Sequence, residues 1–155
     1  MPDLTDTLNI YFDGGCQPTN PGGVATSGWF ITNEKGQLLA EGAKVVADGG
    51  EKATNNYAEY CALGLALRHL VDEGWKGKKL TIRGDSRLIV EQVAGNWKCK
   101  APHLKPLLEK IHQHLGALEI EEGWTIHWVR RSSNGHAHQL AENEYHDYLK
   151  RSSQG

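Results

Sequence analysis

Three carboxylates occupy positions where one predicted element passes into the next. Asp13 follows an apolar run with strand-like alternation, Glu59 lies near the start of a predicted helix, and Asp85 separates a second strand from another helix. Residues at the ends of neighbouring strands meet in α/β proteins although they are far apart in sequence. Carboxylate oxygens are hard ligands that suit Mg²⁺ and Mn²⁺ and suit zinc poorly. The spacing therefore predicts a divalent cation site of the kind that performs phosphoryl transfer without a covalent nucleophile.

Each carboxylate also has a purely structural alternative. Glu59 comes three residues after Asn56, so it could close a capping box at the helix start. Asp85 could be the N-cap of a helix that begins at Ser86. Asp13 could belong to a turn made by the two glycines that follow it. A residue that caps a helix can also bind a cation, so these alternatives stay open from the sequence alone.

Hydrophobic periodicity predicts an α/β fold in the order βββαβααβα, with a five-stranded mixed sheet flanked by helices. The predicted strands are 8–12, 27–32, 37–46, 79–83 and 124–129, and the predicted helices are 54–72, 86–93, 102–115 and a last helix that opens at Ser133 or Asn134. Gly14 and Gly15 are expected to end the first strand. We expect residues 1–155 to form one domain with a core of about 8–149.

The composition is that of an ordinary globular protein, with 155 residues of which 39% are hydrophobic and 23% charged. No apolar run is long enough to cross a membrane, and the polar, acidic N-terminus is unlike a secretory signal. Cys16, Cys61 and Cys99 are widely spaced and form no C-x-x-C pair, which argues against a disulfide framework or a zinc site. These features predict a cytoplasmic location, and we expect a monomer without an obligate protein partner.

The basic residues are concentrated in one part of the chain. The formal net charge of −2 does not by itself indicate a nucleic-acid-binding protein. Residues 76–110, however, contain nine lysines and arginines against three acidic residues. Within this stretch, Trp97 lies beside Lys98 and Lys100, a combination that suits packing against sugars and tracking of phosphates. The alternatives are a set of solvated lysines and a Trp97 that packs under the following helix.

Four motifs together resemble those of the type I ribonuclease H family. They are Y-F-D-G-G-C-Q-P-T-N-P-G at 11–22, T-N-N-Y-A-E at 54–59, G-D-S at 84–86 and W-V-R-R-S-S-N at 128–134. The resemblance covers about residues 8–149 in the element order of the family. It implies a ribonuclease H-like fold and an endonuclease that hydrolyses the RNA strand of RNA/DNA hybrids. Two divalent ions, Mg²⁺ or Mn²⁺, would be the cofactors, and the products would carry 5′-phosphate and 3′-hydroxyl ends.

The resemblance assigns the cations to Asp13, Glu59, Asp85 and the residue at position 138. The family usually has A-D-x-L-A there, whereas this chain has A-H-Q-L-A at 137–141, so His138 replaces a carboxylate. An imidazole can bind a divalent ion but brings no negative charge. We therefore expect an intact first cation site and a weaker second one, with a preference shifted from Mg²⁺ toward Mn²⁺. The alternatives are a spectator His138 with water in its place, or a hybrid-binding module that has lost catalysis.

The resemblance also implies roles around the cations. A loop histidine, His136, would assist proton transfer or product departure, with Arg131 as an alternative for that role. The residues that would bind the hybrid are Asn20, Thr54, Asn55, Asn56, Trp97, Lys98, Lys100 and Arg131. Amide side chains suit the ribose 2′-hydroxyl that distinguishes RNA from DNA. The basic protrusion found in many family members is missing between Lys100 and Pro102, so we expect weaker hybrid binding than in members that carry it.

Two other kinds of nuclease are alternative interpretations of the sequence. A 3′ exonuclease of the same broad fold usually carries D-x-E on its first strand, whereas Asp13 is followed by Gly14 and Gly15. A detached module of a reverse transcriptase is the other alternative. The start at Met1 and the self-contained set of elements favour a free-standing enzyme over such a module.

Overall fold

The structure is a computed structural model that describes residues 6–154. Its strands are β1 (Thr7–Gln17), β2 (Val24–Asn33), β3 (Leu38–Asp48), β4 (Lys79–Gly84) and β5 (Trp124–Trp128), and its helices are α1 (Asn55–Asp72), α2 (Arg87–Ala94), α3 (Lys105–Ala117) and α4 (Gly135–Gln154). A short 3₁₀ helix, Arg131–Asn134, precedes α4. The predicted order of strands and long helices is confirmed. Within the described residues no helix is both long and apolar enough to cross a membrane.

The five strands form one mixed sheet in the order β3-β2-β1-β4-β5. The first three strands are antiparallel neighbours, whereas β4 runs parallel to β1 and to β5. The parallel pairing of β1 with β4 ends where Phe12 lies opposite Gly84. Asp13 directly follows Phe12, and Asp85 directly follows Gly84. The topology therefore brings both carboxylates to the same edge of the sheet.

The first strand does not end at its glycines. It continues to Gln17, and Gly14 pairs with Ser27 of β2. A Cβ atom on Gly14 would lie 2.4 Å from the backbone nitrogen of Glu59. Gly14 is therefore the point where the start of α1 packs directly on the strand, and the predicted end of the strand at the glycines is wrong. Asp13 consequently lies within a strand and has no turn to form.

Helices cover both faces of the sheet. On β2, the Ser27 hydroxyl donates a hydrogen bond of 2.7 Å to the carbonyl of Ala58 in α1. A Cβ atom on the next residue, Gly28, would lie 2.4 Å from the carbonyl oxygen of Ala137 in α4. Because successive strand residues face opposite sides, α1 and α4 pack on opposite faces.

The main core lies between the sheet and α1. It includes fully buried residues of β1 and β4, among them Leu8, Ile10 and Ile82, against Leu63 and Leu67 of α1. These apolar contacts fix α1 on the sheet, and with it the position of Glu59 beside the edge where Asp13 and Asp85 meet.

Candidate active site

The three carboxylates identified in the sequence converge at one edge of the sheet. Asp13 comes from β1, Glu59 from the second turn of α1, and Asp85 from the residue after β4. One oxygen from each can be chosen so that all three lie within 4.8 Å of one another. Asp13 is 4% exposed, Glu59 is 6% exposed and Asp85 is half-buried, so like charges are crowded together in a largely buried cluster.

Neither helix start uses these carboxylates as a cap. Thr54 is the N-cap of α1, and its hydroxyl accepts a hydrogen bond of 3.0 Å from the Tyr57 N–H. Ser86 is the N-cap of α2 and accepts a hydrogen bond of 3.4 Å from the Ile89 N–H. The capping alternatives for Glu59 and Asp85 are therefore wrong.

One oxygen of each of two carboxylates is buried without a hydrogen-bond partner among the described residues. These atoms are Oε2 of Glu59 and Oδ2 of Asp85. Leaving a buried polar atom without a partner typically costs about 1–3 kcal/mol. A divalent cation would supply a ligand bond to each oxygen, so the donor set fits the predicted site.

The electrostatics of the cluster favour the same conclusion. Burial raises the pKa of the Asp13 carboxyl, and the neighbouring charge of Asp85 raises it further. Burial also raises the pKa of Glu59 well above its ordinary value, with additional contributions from Asp13 and Asp85. Ionising all the carboxylates that share a buried space costs considerable free energy unless a positive charge is added. A bound cation would provide that charge.

His138 completes the cluster from α4. Its Nδ1 atom lies 3.0 Å from Oδ2 of Asp13. The start of α4 is attached to β1 by Asn134, which is fully buried and donates a hydrogen bond of 2.8 Å to the carbonyl of Phe12. Because Phe12 directly precedes Asp13, this bond fixes α4 beside the carboxylates. In the sequence, Asn134 stands out as a possible helix start and as the last residue of the fourth motif, and neither feature predicts this anchoring role.

A cavity of about 380 Å³ opens beside the cluster. Besides the three carboxylates and His138, the residues lining it include Gln17, Asn55, Asn56, Ser86, Arg131 and Glu142. The sequence analysis missed Gln17 and Glu142. Spacing could have indicated Glu142, because it follows His138 by four residues and so lies on the same face of α4.

The structure places His136 away from this cavity. Its Nε2 atom lies 2.8 Å from Oε1 of Glu41 on β3, and its ring packs edge-on against Phe30 with 4.7 Å between ring centroids. Of the two residues considered for the loop role, Arg131 lines the cavity and His136 does not.

The other candidate nucleic-acid contacts fall into two groups. Asn55 and Asn56 line the cavity, and the backbone N–H of Asn55 donates a 3.1 Å hydrogen bond to Oδ1 of Asn20. Thr54, which directly precedes Asn55, caps the start of α1. The second group lies on the α2–α3 connection, outside the residues that line the cavity, and comprises the exposed side chains Trp97, Lys98 and Lys100. Trp97 is 46% exposed, so its predicted alternative of packing under α3 is wrong.

The sequence analysis also missed an aromatic surface beside Asp85. Trp128, at the end of β5, is 44% exposed, and its Nε1 atom donates a 3.1 Å hydrogen bond to the Asp85 carbonyl. The guanidinium of Arg87 lies 5.3 Å from the centre of the Trp128 ring. This cation–π pair places an aromatic ring and a positive charge next to the carboxylate cluster.

Comparisons with known proteins agree with the fold and the motifs. A family model described as reverse transcriptase-like matches residues 11–144. Ribonuclease HI of Halobacterium salinarum is 34% identical over 147 residues, which cover 95% of this chain and 68% of that protein.

Two solved structures are similar over almost their whole length. The structure of LC11-RNase H1 in complex with an RNA/DNA hybrid has a TM-score of 0.81 and 33% identity, covering 92% of this chain and 99% of that one. The N-terminal RNase H domain of Rv2228c from Mycobacterium tuberculosis, solved as a fusion with maltose-binding protein, has a TM-score of 0.82 and 28% identity, covering 96% and 99%. The chain spans only 34% of the full bifunctional protein Rv2228c. The family match and these relatives together show that the chain belongs to the type I ribonuclease H family of enzymes.

Proposed function

We propose that this protein cleaves the RNA strand of RNA/DNA hybrids internally and leaves 5′-phosphate and 3′-hydroxyl ends. The observation that carries the proposal is the buried cluster of Asp13, Glu59 and Asp85, in which two oxygens lack a partner among the described residues. The cluster opens into a cavity whose lining residues include Asn55, Asn56 and Arg131. The hybrid bound to LC11-RNase H1, a relative at 33% identity, supports the same substrate class.

Asp13, Glu59, Asp85 and His138 would hold two divalent ions, Mg²⁺ or Mn²⁺. When bound, such ions make an attacking water more acidic and neutralise charge on the departing oxygen. No side chain then has to act as a general base. The family resemblance implies that Asp13 would serve both ions, and its contacts with His138 and with the carboxylate cluster support this role. We therefore expect it to be the least replaceable residue of the site.

The remaining residues of the cavity would position the hybrid. The amides of Asn55, Asn56 and Asn20 suit the ribose 2′-hydroxyl and base edges of a minor groove. Thr54, at the N-terminus of α1, suits a phosphate of the DNA strand. The exposed side chains of Trp97, Lys98 and Lys100 would contact sugar and phosphates farther along the duplex.

The loop role that the resemblance gives to His136 fits Arg131 better. Arg131 lines the cavity, and its guanidinium would hold a phosphate oxygen of the substrate or the product. His136 would first have to leave Glu41, its partner at 2.8 Å, before it could assist. All of the residues named for the site belong to one chain, so a monomer would suffice. The three cysteines are free thiols, in keeping with the predicted cytoplasmic location.

A hybrid-binding module without catalysis is the second candidate. It is favoured by one observation, the replacement of a carboxylate by His138 at a position whose side chain lies 3.0 Å from Asp13. The experiment that separates the two candidates uses a 3′-labelled RNA strand in three forms, namely paired with DNA, paired with RNA and single-stranded. We expect internal cuts confined to the hybrid, and ligation of the downstream product should show its 5′-phosphate. Tight hybrid binding without any cut would support the binding module instead.

A further inference from the structure

Glu142 lies on the side of the His138 ring that faces away from the carboxylate cluster. The Nδ1 atom of His138 is 3.0 Å from Oδ2 of Asp13, whereas its Nε2 atom is 4.0 Å from Oε1 of Glu142. The imidazole therefore stands between two carboxylates, with one nitrogen directed to the cluster and the other to Glu142. The pair is possible because residues four apart on a helix lie on the same face.

Glu142 is held in place from outside the cluster. Nε2 of Gln17 donates a hydrogen bond of 2.5 Å to Oε1 of Glu142, and Nε2 of His146 lies 3.4 Å from the other oxygen. Gln17 follows Asp13 by four residues on β1, so both side chains point to the same face of the sheet. Asp13 and Gln17 of β1 thus contact His138 and Glu142 of α4, respectively.

A ligand at this place is indicated by an observation that does not involve Glu142. Oε2 of Glu59, a side chain that is 6% exposed, is buried in the cluster without a partner among the described residues. Histidines that bind metal ions nearly always donate their second ring N–H to a carboxylate, a carbonyl or water, and this bond fixes the tautomer and the orientation of the ring. Glu142 is the carboxylate that the structure offers to His138 for this purpose.

We propose that Glu142 is a positioning residue for His138. It accepts the Nε2–H of the imidazole, which leaves the lone pair of Nδ1 directed toward a cation beside Asp13. The present separation of 4.0 Å is longer than a hydrogen bond, so the proposal requires this gap to close when the cation binds. The negative charge of Glu142 also lies close to position 138, where histidine replaces a negatively charged carboxylate. The proposal depends on the proposed function, because it concerns the second cation of that site.

The first test is calorimetric titration of the folded protein with Mn²⁺. Glu142→Gln should weaken the second Mn²⁺ by about 10- to 100-fold, as is typical for the loss of such a partner, and leave the first unchanged. Asp147→Asn is the matched control, because it removes the same charge from an exposed position on the same helix. If Glu142→Gln and Asp147→Asn both bind the second Mn²⁺ as the wild type does, the proposal is overturned.

A second test separates positioning of His138 from a direct effect of the Glu142 charge. In a His138→Ala background, Glu142→Gln should cause no further loss of Mn²⁺ affinity. An equal loss in both backgrounds would mean that Glu142 acts on the cation without His138, contrary to the proposal. Ring ¹⁵N spectra in Mg²⁺ give an independent readout, since His138 should hold its proton on Nε2 in the wild type and lose this preference in Glu142→Gln. Circular dichroism would confirm that each variant is folded.

Cleavage of the hybrid by the wild type distinguishes failure of the Glu142 role from failure of the proposed function. If the wild type cuts hybrids and Glu142→Gln keeps its affinity for both ions, the positioning role is wrong and the proposed function stands. If the wild type neither binds a second Mn²⁺ nor cuts hybrids, the proposed function fails and the role of Glu142 fails with it.

Discussion

Two histidines at the start of α4 each contact a carboxylate, but the two pairs lie in very different surroundings. His138 is 3.0 Å from Asp13, and His136 is 2.8 Å from Glu41. The side chain of Asp13 is 5% exposed and shares its space with two other carboxylates, whereas that of Glu41 is 40% exposed on the edge strand β3. The two pairs are therefore similar in geometry and different in burial and charge.

A histidine–carboxylate contact does not by itself create a cation-binding site. An exposed contact between a histidine and a carboxylate contributes only about 0–1 kcal/mol to stability even when both groups are charged, because water solvates both partners well. In the His138–Asp13 pair the imidazole is 37% exposed, but the carboxylate is buried among like charges, so a bound cation would relieve their repulsion. Chemistry is therefore expected at the His138–Asp13 pair, and a structural contact at the His136–Glu41 pair.

The largest expected difference between the two pairs is in the effect of neutralising their carboxylates. Asp13→Asn should lower hybrid cleavage by about a thousandfold or more, because the bound ions supply several kcal/mol of transition-state stabilisation and each tenfold in rate is about 1.4 kcal/mol. Glu41→Gln should leave the rate nearly unchanged. Single-turnover cleavage rates of the two variants would check this, and equal losses in both would refute the distinction.

The histidines themselves should differ by a smaller factor. His138→Ala should reduce cleavage in Mg²⁺ by about 10- to 100-fold, in the range seen when a group that supports metal binding is lost. His138→Asp should shift the preference from Mn²⁺ toward Mg²⁺, because it restores a hard oxygen ligand and a negative charge. Rates measured in the two metals side by side would show both effects.

His136→Ala is the control for these variants. It removes only the exposed contact with Glu41 and the packing on Phe30, so its metal preference should match that of the wild type. A change of metal preference in His136→Ala would contradict the separation of the two pairs.

The like charges crowded around Asp13 should also affect the folding stability of the protein in the absence of cations. The pKa of Glu59 is raised in the folded protein, so the folded chain keeps a proton that the unfolded chain loses. The stability that this proton contributes is fully present below the ordinary value of 4.5 and is lost as the pH rises through the raised value.

We therefore expect the unfolding free energy in EDTA to fall as the pH rises from mildly acidic to neutral. In Glu59→Gln this fall should be smaller, because the side chain whose pKa burial raises has been removed. Urea unfolding at several pH values measures it, and Mn²⁺ should restore stability in the wild type at neutral pH. Identical pH profiles of wild type and Glu59→Gln would show that this carboxyl is not perturbed.

The smallest effects are expected outside both pairs, on the exposed α2–α3 connection. Lys100→Ala should weaken hybrid binding modestly and reduce the slope of log affinity against log salt by about 0.9 if the lysine neutralises one phosphate. Lys35→Ala, on the exposed connection between β2 and β3, serves as the charge-matched control. An unchanged salt slope in Lys100→Ala would remove this lysine from the proposed binding surface.

Much of the fold followed from periodicity, because apolar alternation marked the strands and the spacing of leucines marked α1. The strand end at Gly14 and Gly15 was wrong for a physical reason. Two glycines in sequence are typical of a turn, but here the absence of a side chain on Gly14 allows α1 to approach β1. Only the packed structure shows which of these uses applies.

The site was predictable in its carboxylates and less so in its supporting residues. Asp13, Glu59 and Asp85 lie at element junctions that the sequence marks. Gln17 and Glu142 are ordinary polar residues on a strand and a helix, and their roles depend on how α4 lies across the sheet. The sequence alone could have separated His136 from His138, because residues two apart on a helix differ in direction by about 200° around its axis. His136 and His138 therefore could not both face the cluster.

The most direct test of the central claim is cleavage of one labelled RNA/DNA hybrid as a function of free cation concentration. Wild type, Asp13→Asn and Glu41→Gln would be compared in EDTA, Mg²⁺ and Mn²⁺. We predict internal cuts in the RNA strand that require a cation, persist in Glu41→Gln and disappear in Asp13→Asn. Cleavage that persists in EDTA, or that survives in Asp13→Asn, would contradict the claim that the buried carboxylate cluster is a catalytic cation site.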